Sequence, residues 1–422
     1  MISTFLVIIF GIVFTAIAQF PLKTREIGVL WTGLFVHIIA TFALVWITRD
    51  YYGYGDMLTF FRVGSNIADY AVQDSANFFK LLKIALTLEA DLPFEIAHRA
   101  DSTGAITAIA AMLIIIFGKS IHTISLIFSL IAFSGNYAIY LVFRQVFPKA
   151  YRLRLMVVCL LFPSAVFWTS GILKESIAVC GLGWLFYGAY RWVNKRYLVA
   201  IPFILFGALL VGISKAYILF PFSLAFGSWL FWRKAMVKEA SFLSKPIYII
   251  IGILVAVGGI VGLGILFPRY APDQIIQSTM TLQGYGTRIQ GGSSYQLIDP
   301  MDKSLSGQIL GTPLALISSL FRPFFFEVHN FLSAINSSET SALLLCLLIT
   351  FYKRGPREIL KLIASSPTLI FCLIFVISFG TGVGLATTNL GTLSRYRIPM
   401  MPFYGALIVT LLPLLGPGSN RA

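Results

Sequence analysis

The chain has 422 residues, of which 58% are hydrophobic and only 12% charged, with a formal net charge of +15. Soluble domains carry about 25% charged residues, so this composition excludes an ordinary water-soluble protein. Apolar stretches of about 18 residues or more recur from end to end, which predicts an all-α, polytopic integral membrane protein. A membrane β-barrel would show short alternating segments instead.

The first segment, MISTFLVIIFGIVFTAIAQF, has the apolar core and small-residue end of a signal peptide. No Lys or Arg precedes it, whereas Lys23 and Arg25 follow it, so it reads as a retained first helix. Basic clusters then separate the apolar runs at Lys23/Arg25, Arg144–Arg154, Arg191–Arg196, Arg233–Lys245 and Lys353–Lys361. The positive-inside rule makes all of them cytoplasmic. About eleven transmembrane helices satisfy every cluster. They fall near 3–20, 28–47, 120–143, 155–171, 176–192, 198–213, 216–232, 246–267, 338–352, 366–385 and 397–415. The N-terminus is then outside and the C-terminus cytoplasmic. In this arrangement the cytoplasmic segments hold the whole +15 and the external charges balance. Attraction to anionic headgroups accounts for that excess, and no nucleic-acid partner is implied. Cys159, Cys180, Cys346 and Cys372 all lie in apolar runs, which fits neither a disulfide framework nor a zinc site.

Within a single membrane domain, 1–422, two external loops are long: 48–119 and 268–337. SANFFKLLKIALTLEADL mixes Lys with Leu and Phe at helical spacing and should lie in the interface plane. GAITAIAAMLIIIFG (104–118) is short for a span, and crossing would force Arg144–Arg154 outside. It is therefore read as a juxtamembrane or re-entrant helix, as is GQILGTPLALISSLFRPFFF (307–326).

The external helix ends carry the polar residues. Asp50 and Asp56 lie in TRDYYGYGDM, Lys174 and Glu175 in GILKES, Lys215 in GISKAY and Arg269 in FPRY. Arg322, Glu327 and His329 lie in FRPFFFEVHN, and Arg395 and Arg397 in LSRYRIPMMP. Several cations at one depth suit a phosphate or diphosphate, and a nearby carboxylate suits a general base. Asp56 follows the Gly-containing run YYGYG, whose backbone freedom helps aim a side chain. The plain alternative for each cation is snorkelling, and for Lys174–Glu175 a local ion pair. Tyr51, Tyr52, Tyr54 and Trp168 suit sugar faces, but an interfacial belt explains them more simply. His37 and His122 read as structural.

One layout joins these features: a helix entering an outer loop with an early Asp, juxtamembrane helices, an IFGKS turn, YLVFRQVFPK, FPSAVFWTSG and the late RYRIPMMP. It resembles the GT-C glycosyltransferases, membrane enzymes that use polyprenyl-phosphate sugars, such as protein mannosyltransferases and lipid A aminoarabinose transferases. The resemblance covers most of the chain in layout, through short Pro/Arg motifs. It implies inverting transfer to an acceptor hydroxyl on the non-cytoplasmic face; short cytoplasmic loops and the absence of retention signals make a plasma membrane, the bacterial inner membrane, the expected one. It makes Asp56 the catalytic base, with Asp50 as second candidate. The donor phosphate falls to Lys174, Lys215, Arg395 and Arg397, with Arg322 as a further cation and Glu175, Glu327 and His329 in support. The chain departs from the family in having a helix before the loop-entering one and a lone Asp56 in place of paired acids. No acidic cluster is evident, so no cofactor is expected and a divalent metal lacks support. Two alternatives remain: an oligosaccharide polymerase or ligase using diphosphate-linked glycans, and a lipid or glycolipid transporter. The latter calls for mid-bilayer charges and repeats, of which the apolar runs show almost none.

Overall fold

A computed structural model of the chain describes residues 2–73, 75–87, 102–237 and 305–413. The expected span at 246–267, Arg269 and most of the second long loop lie outside these residues. Among the described residues every regular element is helical. The chain forms two compact units, one of Met1–Gln145 with Cys159–Ala216 and one of Val146–Val158 with Tyr217–Ala422.

Among the described residues, five helices are long and apolar enough to cross a membrane: Thr24–Tyr52, Ile121–Val146, Tyr197–Lys234, Phe331–Ala364 and Pro367–Ala386. A pair bent by 42°, Lys149–Leu160 and Pro163–Thr169, makes a sixth if its halves form one span. Shorter apolar helices cover Ile2–Ala18, Ser102–Phe117, Leu310–Phe321 and Ile398–Leu411. The chain is thus an all-α, membrane-embedded protein.

The first unit contains α1 (Ile2–Ala18), α2 (Thr24–Trp46), α3 (Asp56–Gln73), α4 (Ser75–Thr87), α5 (Ser102–Phe117) and α6 (Ile121–Val146). After α7 (Arg152–Leu160) come α8 (Pro163–Thr169), α9 (Lys174–Val193) and α10 (Tyr197–Lys215). The expected straight helix 155–171 is broken before Pro163. Phe162 is extended (φ −61°, ψ 117°), as the residue before a proline tends to be. The 104–118 segment is the buried α5, with Ala105, Ile106, Thr107 and Ala108 inaccessible against α3 and α4. α6, α9 and α10 pack closely through small residues. A Cβ on Gly183 would sit 2.0 Å from the Gly135 carbonyl oxygen, so only glycine permits this backbone contact.

The second unit contains α11 (Leu219–Val237), α12 (Leu305–Phe321), α13 (Phe331–Ala364), α14 (Pro367–Ala386), α15 (Leu390–Tyr396) and α16 (Met401–Leu411). α13 starts on an Asn330 cap, whose side chain accepts from Ser333 N at 2.8 Å. It runs through the expected loop at 353–361 with a kink at Gly355 (φ 69°), before Pro356. α14 stacks Phe371, Phe375 and Phe379, with Phe403 of α16 4.9 Å from Phe375.

Candidate functional site

The residues expected to form one site fall into two groups, one in each unit. In the first, the chain leaves α2 through a π-helical turn, Ile47–Tyr52. It then turns at Gly53 and Gly55, which adopt φ of 73° and 143°, backbone that glycine tolerates best. Tyr51, Tyr52 and Tyr54 are exposed here, with ring centroids 4.9 Å (Tyr51–Tyr52) and 6.1 Å (Tyr52–Tyr54) apart. Asp56 follows as the exposed first residue of α3. One helical turn on, Phe60 is buried, and Lys174 Nζ lies 6.0 Å from its ring centroid. Met57 and Phe60 share one apolar cluster with Ile172, Leu173 and Ile177, the residues flanking Lys174. That packing brings Asp56 and Lys174 into one neighbourhood. Asp50 is engaged differently: Arg49 donates to its two carboxylate oxygens at 2.9 and 3.0 Å, and both residues are exposed.

Glu175 and Lys215 depart from expectation. The sequence reading puts Glu175 beside Lys174 in an outer turn and Lys215 in another, where it meets phosphate. Instead, Lys215 is the last residue of α10, and the helical run continues through a 3₁₀ turn, Ala216–Ile218, without a loop. Its Nζ donates to Glu175 Oε1 at 2.7 Å, and the two side chains are only 4% and 0% exposed. Helices α9 and α10 run antiparallel at close range, which brings these ends together. Glu175 also lies in the first turn of α9, where the helix dipole favours a carboxylate. An enclosed charge needs a partner of opposite sign, so the Lys215 charge is already matched by a carboxylate.

The second group lies in the other unit. Arg322 Nη2 is 2.6 Å from Glu327 Oε1, while Glu327 Oε2 accepts from Phe324 N at 2.9 Å. These two are therefore a local pair across the FRPFFFE turn. His329 is exposed, and its backbone N–H donates to Ser333 Oγ at 2.9 Å. Arg395 is partly exposed in the last turn of α15. Arg397 is fully enclosed. Its Nη1 donates to the Arg322 carbonyl at 2.6 Å, and its Nη2 lies 3.8 Å from Glu339 Oε1. Neither Nε nor Nη2 of Arg397 makes a hydrogen bond, and neither does the nearby Tyr404 hydroxyl. Arg397 thus holds an incompletely satisfied guanidinium in a buried setting, an arrangement suited to an anionic oxygen.

Three buried polar sets lie outside the expected site. Glu339 is one; it is the only charged residue between Phe331 and Tyr352, a signal that was available. The second is Glu26, which accepts from Lys23 N (2.9 Å), Arg144 Nε (2.8 Å) and the Tyr140 hydroxyl, tying α2 to the end of α6. The third is His37, hydrogen-bonded to Ser129, which in turn meets Ser170. Their partners are remote in sequence, and no local pattern announces them.

Among the described residues, no three His, Cys, Asp or Glu side chains are grouped to hold a metal ion. No family model, curated protein or solved structure matches the chain.

Proposed function

We propose that this protein is a membrane-embedded glycosyltransferase that moves a sugar from a polyprenyl-phosphate donor to an acceptor hydroxyl on the non-cytoplasmic face. The observation that carries the reading is the Asp56–Phe60–Lys174 arrangement. Lys174 Nζ lies 6.0 Å from the buried Phe60 ring, and Asp56 stands one helical turn before Phe60 at the start of α3. Asp56 takes the acceptor proton as general base. Lys174 meets the donor phosphate, whose negative charge grows as it leaves, and such stabilisation is a main device for this chemistry. The exposed Tyr51, Tyr52 and Tyr54 offer ring faces to a sugar. The eleven-helix topology with an external N-terminus belongs to this proposal, and it puts Asp56 and Lys174 on the same side.

A second reading, a glycolipid carrier, is favoured by the enclosed Lys215–Glu175 pair, because buried intramembrane charges often mark transport paths. One experiment separates these readings and the polymerase or ligase alternative. Purified protein in lipid vesicles is given polyprenyl-phosphate hexoses labelled in the sugar, and release of polyprenyl phosphate is followed. Turnover by the wild type, lost in Asp56→Asn but kept in Asp50→Asn, supports the transferase. Turnover that survives Asp56→Asn removes the base assignment. Turnover confined to diphosphate-linked oligosaccharides favours the polymerase or ligase. Movement of intact donor across the bilayer without cleavage favours the carrier.

A further inference from the structure

Within the first unit, α2 and α6 are antiparallel partners. Glu26 meets Tyr140 and Arg144, Gly33 faces Phe133, His37 meets Ser129, and Phe42 stacks on His122. The stretch from His122 to Arg144 rises about 33 Å, close to the roughly 30 Å hydrocarbon core of a bilayer. The α2–α6 seam is therefore as long as the membrane is thick. It is also unusually polar: Ser125, Ser129, Asn136 and Tyr140 recur at helical spacing on α6, each at most 1% exposed.

The protons in the middle of this seam can be assigned by elimination. Ser170 Oγ donates to the Val166 carbonyl at 2.7 Å, which uses its only proton. Ser129 Oγ lies 3.1 Å from Ser170 Oγ, so that contact is favourable only if Ser129 donates to it. Ser129 then has no proton for His37 Nδ1, 3.0 Å away, and Nδ1 must be the donor. A neutral imidazole with its proton on Nδ1 leaves Nε2 as a bare acceptor. That atom is fully buried and has no hydrogen-bond partner. Seven residues along the same α6 face from Ser129, both amide atoms of Asn136 are buried and unpartnered as well. Leaving such groups unsatisfied carries their full desolvation penalty, and buried polar groups of this kind are where internal water binds.

We propose that the α2–α6 seam binds internal water at two levels, on His37 Nε2 and on the Asn136 amide, with His37 held as the Nδ1–H tautomer. The Phe133 ring stands edge-on to the His37 ring, with centroids 5.3 Å apart. The Ser129–Ser170 chain links this hydrated histidine to the connection that leads into Lys174. The inference is independent of the proposed transferase activity and needs no substrate.

The test is nitrogen NMR of the full chain in lipid, labelled with ¹⁵N in histidine and asparagine side chains. The His37 signal is identified by its loss in His37→Gln or, if that variant does not fold, from a chain with the other three histidines replaced. The expected result is a neutral imidazole protonated on Nδ1. Its Nε2 shift should be that of a hydrogen-bonded acceptor, with magnetisation transfer from water to His37 and to the Asn136 amide. Ser129→Ala removes the Nδ1 acceptor and should shift the proton to Nε2. An Nε2–H tautomer in the wild type would overturn the proton assignment. An unbonded Nε2 shift, or no water transfer at both sites, would overturn the hydration.

Discussion

Lys215→Met isolates the electrostatics of the enclosed ion pair. At 2.7 Å and an effective dielectric constant of about 20, the attraction between Lys215 and Glu175 is about 6 kcal/mol. Desolvation of both ions offsets much of this, so the intact pair adds little net stability. Removing the lysine alone leaves the Glu175 carboxylate, 0% exposed, without its cation, and breaking a buried pair in this way costs about 3–5 kcal/mol. The double change Lys215→Met with Glu175→Leu removes both charges and should recover most of the loss. The assay is thermal unfolding in detergent, followed by the monodisperse fraction on fluorescence-detected gel filtration. The single variant should unfold several degrees lower, and the double should return toward wild type. A single-variant loss below about 1 kcal/mol, the level of an exposed pair, would refute the claim that the pair is enclosed. So would a double variant whose loss is the sum of the two singles.

Other substitutions probe the remaining contacts by the same unfolding measurement. Arg397→Lys should destabilise despite keeping the charge, because an ammonium cannot reproduce the planar guanidinium reaching both the Arg322 carbonyl and Glu339. Tyr140→Phe should cost about 1.5–3 kcal/mol, the range for a hydrogen bond to a charged group, since its hydroxyl donates to Glu26. Gly183→Ala should cost at least about 1–3 kcal/mol or prevent folding, because the new methyl would overlap the Gly135 carbonyl. Asp69→Ala serves as a control: its 2.5 Å pair with Lys119 is more than half exposed on both sides, and its loss should stay within about 1 kcal/mol.

The long helices were legible because hydropathy is local and additive along the chain. The runs at 28–47, 120–143, 176–192 and 366–385 each correspond to one observed helix. The kinks were less legible. Gly355 and Pro356 fall within the basic cluster Lys353–Lys361 expected to separate two spans, yet the helix resumes beyond them. Of the candidate site, Asp56 and Lys174 were named from the sequence; the structure sets Lys174 6.0 Å from the Phe60 ring, and Phe60 lies one helical turn beyond Asp56. Glu339 is legible as a lone acid in an apolar run, but its partner Arg397 is set only by the fold.

Composition alone determined that this chain belongs in a membrane, because burying so many apolar side chains against so few charges leaves lipid as the fitting solvent. Which acid meets which base was decided only by the tertiary structure. Glu175 has a basic neighbour in Lys174, yet folding also brings it Lys215, forty residues away. Glycines at the helix contacts let α9 approach α6 and α10 closely, and the face thereby turned inward carries Glu175 into a space where only a matching cation offsets its desolvation.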